Sequence, residues 1–117
     1  MATDPNCLFC KIIAGNIEAD IVYENERVLA FRDINPQAPT HVLIVPRDHV
    51  ATINDLGDAN VEDAGSLFLA AKEVARQEGL SEDGYRVVMN CMEGAGQSVF
   101  HIHMHLLGGR RLKWPPG

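Results

Sequence analysis

Positive charge is scarce in this sequence. Its 10 Lys and Arg stand against 16 Asp and Glu, a net charge of −6 with His neutral. That deficit disfavours DNA or RNA polymers as partners, because polymer binding rests on cations that neutralise many phosphates. A small nucleotide stays open, but its phosphate must be met locally by backbone N–H groups, hydroxyls or protonated histidine. Long apolar runs are missing too. Val42-Leu43-Ile44-Val45 is only strand-sized, so no membrane partner is expected. The start, Met1-Ala2-Thr3-Asp4-Pro5-Asn6, lacks the basic flank and apolar core of a secretory signal, which makes the cytoplasm the expected location. The three cysteines, Cys7, Cys10 and Cys91, are an odd number and argue against a disulfide framework. Repeats, linkers and low-complexity tracts are absent. The 117 residues, 46% hydrophobic, suit one domain over 1–117 with a single core.

What is present reads as an α+β domain with an antiparallel sheet. Leu8, Phe9, Ile12 and Ile13 have helical spacing, which predicts a short helix over 7–14 closed by Gly15. Strands are expected over 21–23 and 27–32, joined through Glu24-Asn25-Glu26, with Leu29, Phe31 and Asp33 on one face. Pro36 and Pro39 impose a loop. His41-Val42-Leu43-Ile44-Val45, apolar on both faces and stopped by Pro46, predicts a central strand. Val61, Ala64, Leu67, Phe68, Ala71, Val74 and Ala75 predict a long helix over 60–78, with Asp58 or Asn60 as N-cap and Gly79 ending it. Asp83-Gly84 marks a turn, residues 85–90 a strand, and Glu93-Gly94-Ala95-Gly96 a flexible loop.

The stretch Phe100-His101-Ile102-His103-Met104-His105-Leu106-Leu107 holds three of the five histidines at every second position. In an extended strand His101, His103 and His105 line one face and Ile102, Met104 and Leu106 the other. Neutral imidazoles near pH 7 are nucleophiles, proton carriers or metal ligands, so this row is the candidate site. A purification tag would lack the apolar alternation and would normally lie at a terminus. Cys7-x-x-Cys10 on a helical turn puts two sulfurs on one face, which suits half a zinc site, a redox pair or a chance pair in a core. No thioredoxin-like βαβ pattern surrounds it. Gly94-Ala95-Gly96-Gln97-Ser98 can turn backbone N–H groups toward an anion. A carboxylate such as Asp33 accepts from two vicinal hydroxyls at once. Taken singly, these loop residues also suit ordinary turn chemistry.

The row His-φ-His-φ-His-φ-φ, with φ apolar, resembles the signature of the histidine triad (HIT) family. Gly96-Gln97-Ser98-Val99-Phe100 leads into it, Leu107-Gly108-Gly109-Arg110 leads out, and Trp114-Pro115-Pro116-Gly117 ends the chain. With Phe31-Arg32-Asp33-Ile34-Asn35-Pro36-Gln37-Ala38-Pro39-Thr40-His41 and Val45-Pro46-Arg47-Asp48-His49 upstream, nearly the whole chain resembles the Hint branch, the histidine triad nucleotide-binding proteins. The resemblance implies a five-stranded antiparallel sheet with one long and one short helix, joined across a two-fold homodimer into a continuous sheet. The long helix and the Tyr85 strand are the expected dimer contacts.

It also implies an activity: a purine nucleoside phosphoramidase that cleaves P–N bonds of AMP-lysine or aminoacyl-adenylate type substrates. His103 matches the histidine that attacks the α-phosphorus and carries the nucleotidyl group. His105, His41 and Ser98 match supporting catalytic groups. The nucleotide is expected on Asp33, Ile34, Phe31, Leu8, Phe9, Ile12, Asn90, Gly96, Gln97, Ser98, His103 and His105, with Asp33 on the ribose and the apolar residues around the purine. No organic cofactor is implied. Some relatives hold a structural zinc through two cysteines, a histidine after the central strand and the first triad histidine. Here these are Cys7, Cys10, His49 and His101, although the animal Hint proteins generally lack the cysteine pair. The tail of residues 113–117 matches a segment that docks near the partner's active site and shapes substrate choice. Alternatives are a dinucleoside polyphosphate hydrolase, or a nucleotide-binding regulatory protein with incidental hydrolysis. A nucleotidyltransferase is disfavoured, because that branch has Gln where this chain has His105.

Overall fold

The β-branched run after His41 takes the middle of an antiparallel sheet. A computed structural model describes residues 2–117. In chain order it holds α1 (Leu8–Ile13), β1 (Ile21–Glu24), β2 (Val28–Arg32), β3 (Thr40–Pro46), α2 (Val61–Gln77), β4 (Tyr85–Val88) and β5 (Met104–Gly108). The five strands lie in the order β1-β2-β3-β5-β4, and every neighbouring pair is antiparallel. Every residue of β3 is buried, as a strand apolar on both faces requires.

Alternation on the strands sorts side chains into two layers. Val28, Ala30, Val42, Ile44, Met104 and Leu106 pack with Leu67, Ala70, Ala71, Val74 and Ala75 of α2. Leu29, Phe31, Leu43 and Val45 pack with Cys7, Phe9, Cys10 and Ile12 of the α1 segment. The two helices therefore cover opposite faces. His41 and His105 alternate with residues of the α2 layer, so they project on the α1 face.

Both helices stop as expected, at glycines with left-handed backbone. Gly15 has φ 81° and Gly79 φ 75°. The N–H groups of Asn16 and Leu80 donate back to the carbonyls of Lys11 and Ala75, a Schellman closure in each case. The start of α2 differs from expectation. Asn60 is the N-cap but makes no side-chain cap bond, because its Oδ1 accepts from the Gly57 N–H at 2.8 Å.

Three expectations need correcting. Val61 and Phe68 are not core residues; Phe68 is 61% exposed and Leu69 beside it 69%. The stripe that meets the sheet is narrower, because the small residues Ala70, Ala71 and Ala75 bring the helix close to the strands. The last strands are shorter than expected. The β4 ladder ends at Val88 opposite His105, and of the three histidines only His105 lies within β5. His101 and His103 belong to an irregular lead-in, fastened where the Ile102 N–H donates to the Val50 carbonyl at 2.8 Å. The alternation survives there, since Ile102 still joins Met104 and Leu106 in the α2 layer. Finally, residues 93–95 form a 3₁₀ turn rather than an open loop.

Candidate functional site

Backbone donors and acceptors decide which nitrogen of each imidazole carries its proton. The Gln37 N–H lies 3.0 Å from Nδ1 of His41, so that nitrogen must accept. A neutral His41 then carries its proton on Nε2, which stands 2.9 Å from Nδ1 of His105 and 3.4 Å from a carboxylate oxygen of Asp33. Nδ1 of His105 accepts from it, which leaves the His105 proton on Nε2. His103 is set the other way. Its Nδ1 lies 2.8 Å from the His101 carbonyl oxygen and donates to it, so its Nε2 keeps a free lone pair. Two rings only 5.1 Å apart thus present opposite functions: an acceptor on His103 and a donor on His105.

Burial keeps these rings neutral. It lowers the His103 pKa, against the pull of the His101 carbonyl and of Asp33. It lowers that of His41 against Asp33. His105 is pushed down to about 4, first by burial and then by repulsion from His103 and His41. His105 in the unfolded chain titrates near 6.5, so its share of stability is whole above that pH and is lost as pH falls from about 6.5 toward 4. An NMR titration is expected to show the His105 ring neutral well below pH 6. A midpoint near 6.5 in the folded protein would contradict the His41–His105 hydrogen bond.

Beside these rings a cleft of about 680 Å³ opens. Leu8, Phe9, Ile12, Phe31, Asp33, Ile34, Ser98, His103 and His105 line it. The structure therefore brings together nine of the residues expected at the nucleotide. His41 stands behind His105 and reaches the cleft through it. Phe9 meets the His103 ring edge-on at 5.0 Å between centroids. Asn90, Gly96 and Gln97 are not on the cleft wall, and the side-chain amide of Gln97 is occupied elsewhere. Ile17, Glu18, Ala19, Asp20, Arg32, Leu43 and Val99 also line the cleft and were not expected. Leu43 was readable, since it alternates with His41 on the central strand. Residues 17–20 form a connection without periodicity, and nothing in their order marks them.

On the other side of His101 a second cluster gathers Cys7, Cys10, His49 and His101, with all four ligand atoms within 4.8 Å of one another. Cys7 caps α1, its sulfur accepting from the Cys10 N–H at 3.2 Å, and the single turn brings Cys10 round to the same face. His101 is wholly buried and donates Nε2–H to the Pro46 carbonyl at 2.8 Å, which turns the lone pair of Nδ1 into the cluster. That atom lies 3.1 Å from Nδ1 of His49, 3.4 Å from the Cys7 sulfur and 3.6 Å from the Cys10 sulfur; Cys10 and His49 are 3.3 Å apart. A tetrahedral zinc with bonds of about 2.0–2.3 Å sets its ligands roughly 3.3–3.8 Å from one another, so the donors fit a metal ion. Burial holds the His101 pKa down to about 4 and raises the Cys7 thiol; a bound cation would favour the thiolate.

Asp33, His41 and His105 also converge. They suit a cation poorly. With the Gln37 N–H on Nδ1, Nε2 of His41 would have to give up its proton to bind metal, leaving an imidazolate.

Known proteins resemble this chain over nearly its whole length. A family model described as "HIT domain" matches residues 14–112. A Zea mays protein named "14 kDa zinc-binding protein" is 54% identical over 116 residues, covering 97% of this chain and 90% of its own. The Escherichia coli (strain K12) "Purine nucleoside phosphoramidase" is 51% identical over 105 residues, covering 90% and 88%. The crystal structure of a HIT family hydrolase from Legionella pneumophila Philadelphia 1 superposes with a TM-score of 0.94 at 58% identity, covering 96% of this chain and all of that one. The matched span takes in β3 with His41 and the whole three-histidine row, and on that basis this chain belongs to the HIT family.

Proposed function

We propose that this chain is a purine nucleotide hydrolase that cleaves P–N bonds of nucleoside 5′-phosphoramidates through a transient nucleotidyl group on His103. The observation that carries the reading is the pair of opposite tautomers: a lone pair on Nε2 of His103 beside a proton on Nε2 of His105. Nε2 of His103 attacks the α-phosphorus, the P–N bond breaks, and its electron pair leaves on the amine nitrogen. That nitrogen takes up a proton from solvent and departs as the free amine, guided by a hydrogen bond from the Ser98 hydroxyl on the same cleft wall. The ring made cationic on His103 keeps its Nδ1–H on the His101 carbonyl, which stabilises the charge. His105, oriented by His41, donates to a phosphate oxygen. Water then attacks phosphorus, the P–N bond to His103 breaks with its electron pair returning to Nε2, a proton passes to solvent, and the nucleoside monophosphate is freed.

In this reading Asp33 accepts from the ribose hydroxyls, and Leu8, Phe9, Ile12, Phe31 and Ile34 enclose the purine. The Escherichia coli relative's name favours P–N cleavage over dinucleoside polyphosphate hydrolysis. Protein mixed with an adenosine phosphoramidate, quenched early and digested, is expected to carry AMP on the peptide containing His103. Turnover without any such adduct would overturn the reading.

Zinc is the metal proposed for Cys7, Cys10, His49 and His101, in keeping with the maize relative's name. Four protein ligands leave no open coordination position, so its part is structural.

The chain is proposed to act as one domain over 1–117, in the cytoplasm, as a homodimer. Among the described residues no helix is long and apolar enough to cross a membrane. β4 is an edge strand, and beside it Ile53, Leu56, Phe68, Val87 and Met89 form an apolar groove. A second copy seated there would cover Phe68 and continue the sheet. Sedimentation is expected to show a dimer for the native protein and a monomer for Phe68→Glu; a native monomer would refute the assembly. Trp114 is 82% exposed, and Arg86 of β4 holds the tail through the Lys113 carbonyl at 3.0 Å. That places the tail at the same edge, in keeping with a role at the partner's cleft.

A further inference from the structure

Gln97 is buried, 4% exposed, and yet every polar atom of its side chain is in use. Its Oε1 accepts from the Met92 N–H at 2.8 Å. Its Nε2 donates to the Ala51 carbonyl at 2.8 Å and to the Val99 carbonyl at 3.1 Å. Its backbone N–H donates to the Met92 carbonyl at 3.1 Å. Met92 and Gln97 thus exchange two hydrogen bonds across the 3₁₀ turn Glu93–Ala95 and close it into a ring.

Two further features show that this closure is specific. Met92 sits at φ 71°, the only positive φ outside glycine among the described residues. A bulky residue holds that backbone only where its surroundings over-determine it, and the two bonds from Gln97 do so. The bond to Val99 then brackets Ser98, since Gln97 fastens the chain on both sides of it. The bond to Ala51 ties this bracket to the segment 49–52, which also receives the Ile102 N–H at the head of the histidine row.

From this geometry we infer that Gln97 is a positioning residue for the reaction: it fixes the loop 92–99 so that Ser98 holds its place on the cleft wall that His103 also lines. It does so without touching the nucleotide, since it lies off the cleft wall and both its amide protons are engaged. The inference rests on the role proposed above for Ser98. It also reassigns Gln97 from the nucleotide contacts expected from the sequence.

Two replacements of similar length separate the possibilities. Gln97→Glu keeps the acceptor but cannot donate to the two carbonyls, and Gln97→Met loses all three bonds without adding charge. Each is read alone and combined with Ser98→Ala, by single-turnover kinetics on an adenosine phosphoramidate and by calorimetric binding of AMP. Misplacement of a reacting group by about 1 Å costs on the order of 100-fold. Each Gln97 variant is therefore expected to lose roughly 10-fold to 100-fold in the chemical step with AMP affinity unchanged, and to lose nothing more once Ser98 is alanine.

Full additivity with Ser98→Ala would overturn the inference, as would weakened AMP binding by a folded variant, which would make Gln97 a ligand contact. Ser98→Ala at full activity would instead remove the role of Ser98 itself. Circular dichroism and a cooperative melting transition report that a variant is folded. Should the glutamate variant not fold, the methionine variant, which buries no charge, carries the comparison; if neither folds, Gln97 serves the fold rather than the reaction and the inference is lost.

Discussion

His103→Ala is expected to reduce turnover of an adenosine phosphoramidate by about 10⁴-fold or more while AMP still binds. The loss is large because no other ring in the cleft offers a free lone pair. Nδ1 of His105 is taken by His41, and its Nε2 carries a proton. Nδ1 of His41 is taken by the Gln37 N–H. Neither can replace His103 without breaking a hydrogen bond that sets its own tautomer. Binding survives because the apolar wall and Asp33 belong to other elements. The phenylalanine neighbour loses its edge-on partner, at modest cost to packing. Stopped-flow turnover alongside calorimetry of AMP binding checks both halves. Activity within tenfold of the native enzyme would take the nucleophile away from His103.

Removal of the metal is expected to cost on the order of 4 kcal/mol or more of folding stability, a loss typical of stripped structural metals. The cause is local. Without a cation, two sulfurs and two imidazole nitrogens face one another at 3.1–3.6 Å in a site whose centre, His101, has no access to water. At most three protons, two on the thiols and one on His49, are available for these four close contacts, so at least one of them sets lone pair against lone pair. Cys10→Ser or exhaustive chelation should lower the melting temperature, with zinc lost in proportion by elemental analysis. The effect should reach His103 as well, because the backbone carbonyl of His101 holds its Nδ1. A chelated protein that melts with the loaded one would refute a structural metal at these residues.

The sequence alone determined the pattern of elements, because periodicity is local. The strands and the sorting of Leu29 and Phe31 away from Val28 and Ala30 follow from a repeat of two residues, and the helix stops at Gly15 and Gly79 from the left-handed backbone that glycine adopts. The histidine row and the Cys-x-x-Cys pair were legible as well through their spacing, whereas Asp33, His41 and His49 were reached only through the family resemblance. Other features depended on partners far along the chain. Phe68 obeys the helical spacing yet lies outside, since only the sheet's approach decides how wide a stripe is covered. Gln97 sits in a loop that suggests phosphate binding, but the distant Ala51 and the nearby Met92 claim its amide. Above all, the tautomers of His41, His103 and His105 could not be read from spacing. A ring nitrogen's proton is placed by the particular N–H or C=O that faces it, and folding alone brings Gln37 to His41 and His41 to His105.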